Sequence, residues 1–478
     1  MTALYFDCFL FKPYEGELMI LKKLSIATAV AAFIAPTLAM AATQTSDLQN
    51  QINKLQQEVN HLNAHHNRLR SKNHFRAVPV TTTPLLARRA AYDGSDLISN
   101  FSSINEDLTL LNSRANDETA LKTDLGRKHT NRPRSWVQLS GYINAAGTYS
   151  NPKWFGATTH STSLDITAAE IDTTAFISPW VNAFVALKWN SVGANPSQRN
   201  IIQANRAFIT LGNLNKSSFY ASLGNMYVPF GRYSTGMISD PLTKQMGRAR
   251  ADRAAALVGY SKANINAQAF GFRGDSQIKG HNDDVFGADA NYLTSYKNGK
   301  AQLGAGLIST LSEAIDVQSF NYQGNGHGFS GGTLVKRVPA YDLNAQASFG
   351  AFQLTGEFIG TTTAYDTADL TFNTAGAKPK AFHAEGTYNF NLRARPSNVG
   401  VFYGHTAQAL GFGLPKNSFG FIFNTEVAKD LLLAAEYAHN TDYGTSDKAT
   451  TGGPVPLTIS GATGKSQNVF YLQLAAYF

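Results

Sequence analysis

The sequence predicts an all-β protein: a transmembrane antiparallel β-barrel of about 16 strands, preceded by a helical, coiled-coil segment in the periplasm. Three observations lead to this prediction. Charged residues make up 15% of the chain and aromatic residues 11%, whereas soluble proteins carry about 25% charged residues. From Trp136 onward, apolar and polar residues alternate with period two, which is typical of a wall between lipid and water. The links between the predicted strands are alternately short and long.

The first 41 residues are predicted to be an N-terminal extension and a secretory signal peptide. Two lysines precede the apolar run LSIATAVAAFIAPTLAMA, which ends in a small-x-small site at Ala41, and this order is typical of a cleaved export signal. Met19 is the expected start of that signal. The one cysteine, Cys8, lies upstream of the cleavage site, so the mature chain is expected to carry no thiol.

Residues 42–76 are predicted to form a periplasmic coiled coil. The apolar residues recur at spacings of four and three: Leu48, Ile52, Leu55, Val59, Leu62 and Leu69. Because an isolated helix of this length is marginal in water, the apolar seam requires a partner. That partner is either other copies of the chain, as in a homotrimer, or the periplasmic end of the barrel. His61 and His65 lie one turn apart, but a polar helix face explains them and no metal site is predicted.

Residues 77–134 are predicted to be a linker with a second helical segment. Residues 77–95 have a loop-like composition, and residues 112–134 are polar and charged. Between these two stretches a second apolar seam has helical spacing: Leu97, Phe101, Ile104, Leu108 and Leu111.

Residues 135–478 are predicted to form the outer-membrane barrel. The predicted strands are 136–149, 164–177, 181–190, 202–212, 219–225, 254–261, 264–273, 285–293, 300–309, 340–349, 352–361, 380–389, 398–406, 418–427, 431–440 and 467–478. Links after even-numbered strands are short, and links after odd-numbered strands are long, notably 226–253, 310–339 and 441–466. Short turns on the periplasmic side and long loops outside are the outer-membrane pattern. An even number of strands places both ends of the barrel in the periplasm.

The last predicted strand carries a further signal. In QNVFYLQLAAYF, Phe470, Leu472, Leu474, Ala476 and Phe478 share one face, and the sequence ends on that phenylalanine. A terminal amphipathic strand that ends in an aromatic residue resembles the signal read by the barrel-assembly machinery, which is therefore an expected partner.

The long loop 226–253 is the candidate functional site. Its basic residues are Arg232, Lys244, Arg248, Arg250 and Arg253. A loop that folds into the lumen forms a constriction, where arginines attract anions and orient carboxylates. We expect Arg206 and Lys188 to support this ligand-binding site from the wall. The alternative is a basic extracellular loop that holds anionic lipopolysaccharide of the outer-membrane lipid.

Other functional classes are disfavoured. The net charge of +8 is spread along the chain without a block, so no nucleic acid partner is expected. Gly328, Ser330 and Gly332 fit G-x-S-x-G beside His327, but that motif requires a strand–turn–helix setting and here lies in a Gly-rich loop. We therefore predict no enzyme, no catalytic residues and no cofactor.

Several segments resemble the TonB-independent siderophore-receptor family of outer-membrane proteins, typified by the legiobactin receptor. They are the coiled coil, YDGSDLISNFSSINEDLTLL at 92–111, LSGYINAAGTY, the strand pair at 165–190 with its ISPW turn, and MYVPFGRYSTGMISDPLTKQMGRARADRAAALVGY at 226–260. The resemblance implies a sixteen-stranded barrel that takes up ferric siderophore or iron. Energised receptors use about 22 strands around a plug, so passage without a TonB-type plug is expected. The alternatives are a general or anion-preferring porin, trimeric through its stalk, and an envelope-anchoring structural protein.

Overall fold

A computed structural model describes residues 53–54, 56–58, 80–82, 104–124, 135–151, 160–189, 201–322 and 325–478. The chain divides into two units, Met1–Ala77 and Val78–Phe478, and the barrel strands all belong to the second unit. The predicted signal peptide, His61, His65 and most of the predicted coiled coil lie outside the described residues. None of the described helices combines the length and the apolar character needed to cross a membrane.

Sixteen strands form a closed antiparallel barrel, and the predicted strand number is confirmed. The strands are β1 Trp136–Ser150, β2 Ser161–Ser178, β3 Val181–Trp189, β4 Ile202–Gly212, β5 Phe219–Tyr227, β6 Arg250–Lys262, β7 Ile265–Ile278, β8 His281–Tyr296, β9 Gly299–Ile308, β10 Ala340–Phe349, β11 Phe352–Thr361, β12 Lys380–Leu392, β13 Arg395–Ala407, β14 Asn417–Ala428, β15 Leu431–Thr441 and β16 Ser466–Tyr477. Each strand pairs with the next, and β16 closes the barrel on β1, with Tyr142 opposite Tyr477.

The alternation of side chains fixes which face meets lipid. On β9, Leu303 and Leu307 are 61% and 60% exposed, whereas Gln302 is 5% exposed. Because every backbone N–H and C=O of a closed barrel is paired along its strands, such an apolar outer face is stable in a bilayer. The pattern of two-residue alternation therefore produces both the strands and their orientation.

Aromatic pairs mark the two membrane interfaces, as expected for such barrels. Near the periplasmic turns, the rings of Phe349 and Phe352 lie 6.0 Å apart, and those of Phe352 and Tyr388 lie 5.0 Å apart. In the opposite half, the rings of Tyr437 and Phe470 lie 4.8 Å apart on β15 and β16. Phe470 is thus part of the outer girdle, while the terminal Phe478 exchanges backbone hydrogen bonds with Gly141.

The connections follow the predicted alternation with one difference. Links after even-numbered strands are turns of two residues, except for residues 213–218 between β4 and β5. Residues 274–284, predicted as a link, are instead mostly strand, and the β7–β8 hairpin turns at Lys279 and Gly280. Both residues have positive φ, 53° and 81°, as a type I′ turn requires, and this turn matches the twist of two long strands.

Helix α1, Glu106–Asp124, begins inside the predicted second helical seam. It continues through residues that we predicted as a polar linker, because NSRANDETALKTD contains neither proline nor glycine, the two residues that disfavour a helix most strongly. The short strand Val80–Thr82, within a stretch predicted to be loop, pairs in parallel with the start of β1. The unpaired edge that β1 presents at its periplasmic end explains this addition.

The long loops after β9, β11, β13 and β15 pack into an extracellular lobe. Its small sheet consists of Leu370–Phe372, Ala375–Gly376, Ala449–Thr451 and Leu457–Ile459. Its apolar core includes stacked rings of Phe329 and Tyr365, 5.8 Å apart. The G-x-S-x-G residues lie in this lobe rather than at a strand–turn–helix elbow, and His327 Nδ1 lies 2.8 Å from the carbonyl oxygen of Val455.

Candidate pore constriction

The link between β5 and β6, residues 228–249, folds into the barrel, and we call it the constriction loop. It contains the short helix α2, Leu242–Gly247. Most of its side chains are buried, among them Val228, Phe230 and Met246 at 0% exposure. A loop after strand five that turned into extracellular solvent would leave these residues exposed.

Three glutamates on the far wall hold the backbone of this loop. Glu357 of β11 accepts hydrogen bonds from the Arg232 N–H, at 2.6 Å, and from Thr243 Oγ1, at 2.7 Å. Glu385 of β12 and Glu436 of β15 bind the next residues in the same way. Their donors are the Gly236 N–H, the Thr235 hydroxyl, the Ile238 and Ser239 N–H groups and the Ser239 hydroxyl. The loop therefore spans the interior from β5 and β6 to β11, β12 and β15.

Three arginines surround the ring of Tyr227, at the point where the constriction loop leaves β5. The guanidinium carbons of Arg206, Arg248 and Arg250 lie 5.7, 5.1 and 6.0 Å from the ring centroid. A cation over an aromatic face is attracted by the ring quadrupole, so Tyr227 holds the three charges close together. These are three of the residues predicted from the sequence.

Arg206 is ion-paired with carboxylates of two elements. Its nearest partners are Glu170 at 2.6 Å and Glu106 of α1 at 3.0 Å, and Asp172 lies 3.5 Å away. Because three carboxylates share this guanidinium, Arg206 serves as an anchor between α1, β2 and β4. We predicted it as a wall residue of an anion site, and the carboxylates offset the positive charge that such a role requires.

Lys244 and Arg248 face one aspartate of the same loop. The Lys244 ammonium lies 2.9 Å from Asp240, and Arg248 Nη2 lies 3.9 Å from it. Burial lowers the pKa of Lys244, although the Asp240 carboxylate opposes this shift. Arg248 Nε is buried without a hydrogen-bond acceptor among the described residues.

Arg250 and the remaining predicted residues have other polar partners or positions. Arg250 pairs with Asp252 at 2.6 Å and donates to Asn205 Oδ1. Arg232 lies on the far side of the loop, where Nη2 donates to Gln302 at 3.1 Å. Arg253 is 57% exposed at the rim, 3.9 Å from an aspartate of β7, and Lys188 is half-buried on β3. The structure thus gathers Arg206, Arg248 and Arg250, but neither Arg232 nor Arg253.

Tyr227 and the three anchoring glutamates were not predicted from the sequence. Glu357, Glu385 and Glu436 lie at inward-facing positions in the middle of predicted strands, where small polar residues would suffice to contact water. A charged residue buried at such a position requires a partner. Glutamates at these inward-facing positions are therefore the sequence signal that a loop occupies the lumen.

Because Asp316 titrates beside the arginine cluster, the ion preference of the constriction should depend on pH. It lies on the short helix α3, Ile315–Gln318, whose Ile315 N–H donates to the Arg248 carbonyl oxygen. Burial and the Asp240 carboxylate raise the pKa of Asp316 to about 6, and Arg248 and Lys244 limit the rise. Between pH 7 and pH 5, Asp316 gains a proton and one negative charge beside the cluster disappears. A unit charge at about 8 Å in water changes the free energies of an anion and of a cation by about 0.5 kcal/mol in opposite directions. The difference between them changes by about 1 kcal/mol, so the anion-to-cation permeability ratio should rise roughly five-fold.

The measurement is the reversal potential of reconstituted protein in a KCl gradient at both pH values. The control is Asp316→Asn, which should give the higher ratio at both pH values. A pH step that survives in this variant would assign the titration to another group.

No protein-family model matches the chain. A UPF0422 protein of Coxiella burnetii (strain RSA 493 / Nine Mile phase I) is 33% identical over 403 residues, covering 83% of this chain and 83% of the relative. A UPF0422 protein of Legionella pneumophila (strain Lens) is 32% identical over 424 residues, covering 85% and 78%. Among solved structures, the anion-selective porin from Comamonas acidovorans aligns with a TM-score of 0.51 and 15% identity, covering 72% of this chain and 100% of that one.

The closed sixteen-stranded wall, its lipid-exposed outer face and its inward-folded loop define a porin-like β-barrel of the bacterial outer membrane. The identity and coverage of the Coxiella and Legionella relatives are high enough to establish the family. The chain belongs to the UPF0422 family. The resemblance to siderophore receptors stays a prediction, since the names of these relatives describe no substrate.

Proposed function

We propose that the protein is a passive outer-membrane channel for small hydrophilic solutes, with a constriction of mixed charge that admits anions at Arg248 and Arg250. The observation that carries this proposal is the constriction loop, which is fastened across the lumen by Glu357, Glu385 and Glu436. A loop held at both walls narrows a pore without closing it by a moving part. Selectivity then depends on pore diameter and on the charges that line it.

The charges support a general rather than a strongly anion-selective channel. Carboxylates of the wall balance the arginines, as the three partners of Arg206 illustrate. Arg248 keeps an unmatched buried donor among the described residues, and guanidinium groups suit carboxylate and phosphate geometry. The anion selectivity named for the Comamonas porin is consistent with passage of anions here.

The test is conductance in planar bilayers, combined with swelling of proteoliposomes in sugars and organic anions of increasing size. We expect an ohmic open channel and fluxes that fall with solute size without saturation. A reconstituted protein that binds lipid normally but conducts no ions would overturn the proposal.

Uptake of a ferric siderophore is the second candidate. The pair Arg248 and Arg250 would also suit an anionic ferric carboxylate complex, while the loop across the lumen disfavours a bulky solute. Uptake of labelled iron with and without the gene distinguishes the two functions: only the second predicts a loss that smaller solutes do not share. Binding of residues 42–95 to peptidoglycan tests the envelope-anchoring alternative, and chemical cross-linking of whole cells tests the homotrimer.

A further inference from the structure

The first two turns of α1 are enclosed by the barrel. Leu108, Leu110 and Leu111 are at most 1% exposed. At 3.6 residues per turn these leucines point in three different directions, so protein surrounds the helix on more than one side. A helix lying against the outside of the periplasmic rim would leave one of these positions in water.

Polar contacts fix the height of α1 within the barrel. Arg206, near the middle of β4, contacts the first helical residue, Glu106. Further along, Asn215 of the periplasmic turn between β4 and β5 donates to the Ala115 carbonyl oxygen. About nine residues of helix span some 13 Å, so α1 runs from mid-barrel to the periplasmic opening. Two other buried bonds join it to β5 and β3: Ser222 Oγ to Asp107 Oδ2 at 2.7 Å, and Arg114 Nη1 to Asn182 Oδ1 at 2.9 Å.

The barrel wall beside α1 is apolar and buried. The inward-facing Phe176, Phe184, Phe208 and Tyr220 of β2–β5 are at most 4% exposed, and they share one apolar cluster with the α1 leucines. A lumen wall facing water is polar, and our expectation of a wet lumen is wrong for this sector. The reason is that α1 removes the aromatic rings from water.

The periplasmic half of the opposite sector is lined by polar side chains instead of aromatic rings. Its inward-facing residues on β8–β14 include Asn291, Gln302, Asn344, Thr387, Ser397 and Thr425. The lumen therefore has two sides: an apolar side, which α1 covers, and a polar side, which α1 does not cover.

We propose that α1 is a fixed size filter of the periplasmic half of the pore, confining solutes to the polar side formed by β8–β14. This inference rests on the proposed channel function and adds a second narrowing element on the periplasmic side of the constriction loop. It differs from a gate, because α1 need not move for a solute to pass.

The first experiment weakens the docking of α1. In the full-length chain, Leu108→Asn with Leu111→Asn places two amides against the aromatic wall, so the helix should leave it. Because conductance follows the open cross-section, we expect a rise of about two-fold or more and passage of larger solutes. Thr109→Asn, at a half-buried position of the same helix, is the matched control and should conduct like wild type. Unchanged conductance and size limit in the double variant would overturn the proposal.

A disulfide tests the position of α1 independently of transport. Asp107 Oδ2 and Ser222 Oγ are 2.7 Å apart, so Asp107→Cys with Ser222→Cys should form a disulfide under oxidation, detected by a shift in mobility that reduction reverses. The oxidised protein should conduct like the reduced one. Failure to cross-link would contradict the position of α1 in the lumen. A gain in conductance on reduction would indicate that α1 is a gate and not a fixed filter. If the disulfide forms in a protein that never conducts, the channel function fails while the location of α1 stands.

Discussion

Replacing the three anchoring glutamates together, Glu357→Ala, Glu385→Ala and Glu436→Ala, should release the constriction loop and raise single-channel conductance about two-fold or more, since the open cross-section sets the ion flux. Each carboxylate accepts two or three hydrogen bonds from the loop. A hydrogen bond to a charged group contributes about 1.5–3 kcal/mol, so loss of even one carboxylate should loosen the loop locally. Single variants should therefore give intermediate conductance.

Limited trypsin digestion provides a second measurement of the same change. The constriction loop contains Arg232, Lys244 and Arg248, which are cleavage sites held inside the barrel. We expect the folded wild-type protein to resist cleavage there and the triple variant to be cut. The control is Glu426→Ala, whose carboxylate accepts a hydrogen bond from Asp430 at the turn between β14 and β15. Equal trypsin resistance of triple variant and wild type would contradict the anchoring role.

The fold was predictable because its determinants are local. The alternation of Gln302 with Leu303, repeated along every strand, needs only neighbouring residues to be recognised, and it specifies both a strand and the face that meets lipid. The turn at Lys279 was missed because residues 274–284 contain several charged and polar residues. At the outer rim such residues are compatible with a strand that extends beyond the membrane.

The interior was predictable only in part, because its contacts join residues far apart in the chain. Arg206 was identified as a lumen residue, yet its pairing with Glu106 and Glu170 depends on where α1 docks. The aromatic side chains of Phe184 and Phe208, on a face expected to be polar, were the available sign that something covers the β2–β5 wall. The local charge at a basic residue on a predicted lumen face therefore cannot be inferred until its acidic neighbours are known.

Arg248 and Arg250 should dominate the ion preference of the constriction. Arg206 shares three buried carboxylates, whereas the nearest carboxylate to Arg248 lies 3.9 Å away and the partner of Arg250, Asp252, is half exposed to solvent. Changing both to glutamate alters the local charge by four units. At about 8 Å from the ion path in water, four units correspond to about 2 kcal/mol, so the anion-to-cation permeability ratio should fall at least ten-fold. The reversal potential in a KCl gradient measures this ratio directly.

A matched pair of arginines at the rim distinguishes the effect of charges inside the constriction from the effect of the total charge at the extracellular mouth of the barrel. Arg253→Glu with Arg273→Glu also alters the charge by four units, but both side chains are exposed at the rim. Salt screens exposed charges beyond about 10 Å at 0.1 M ionic strength, so this variant should shift the permeability ratio by less than about two-fold. If the rim variant shifts the ratio as strongly as Arg248→Glu with Arg250→Glu, the preference arises from the potential of the whole extracellular side. A large shift confined to the inner pair locates the ion preference at Tyr227 and the arginines around it.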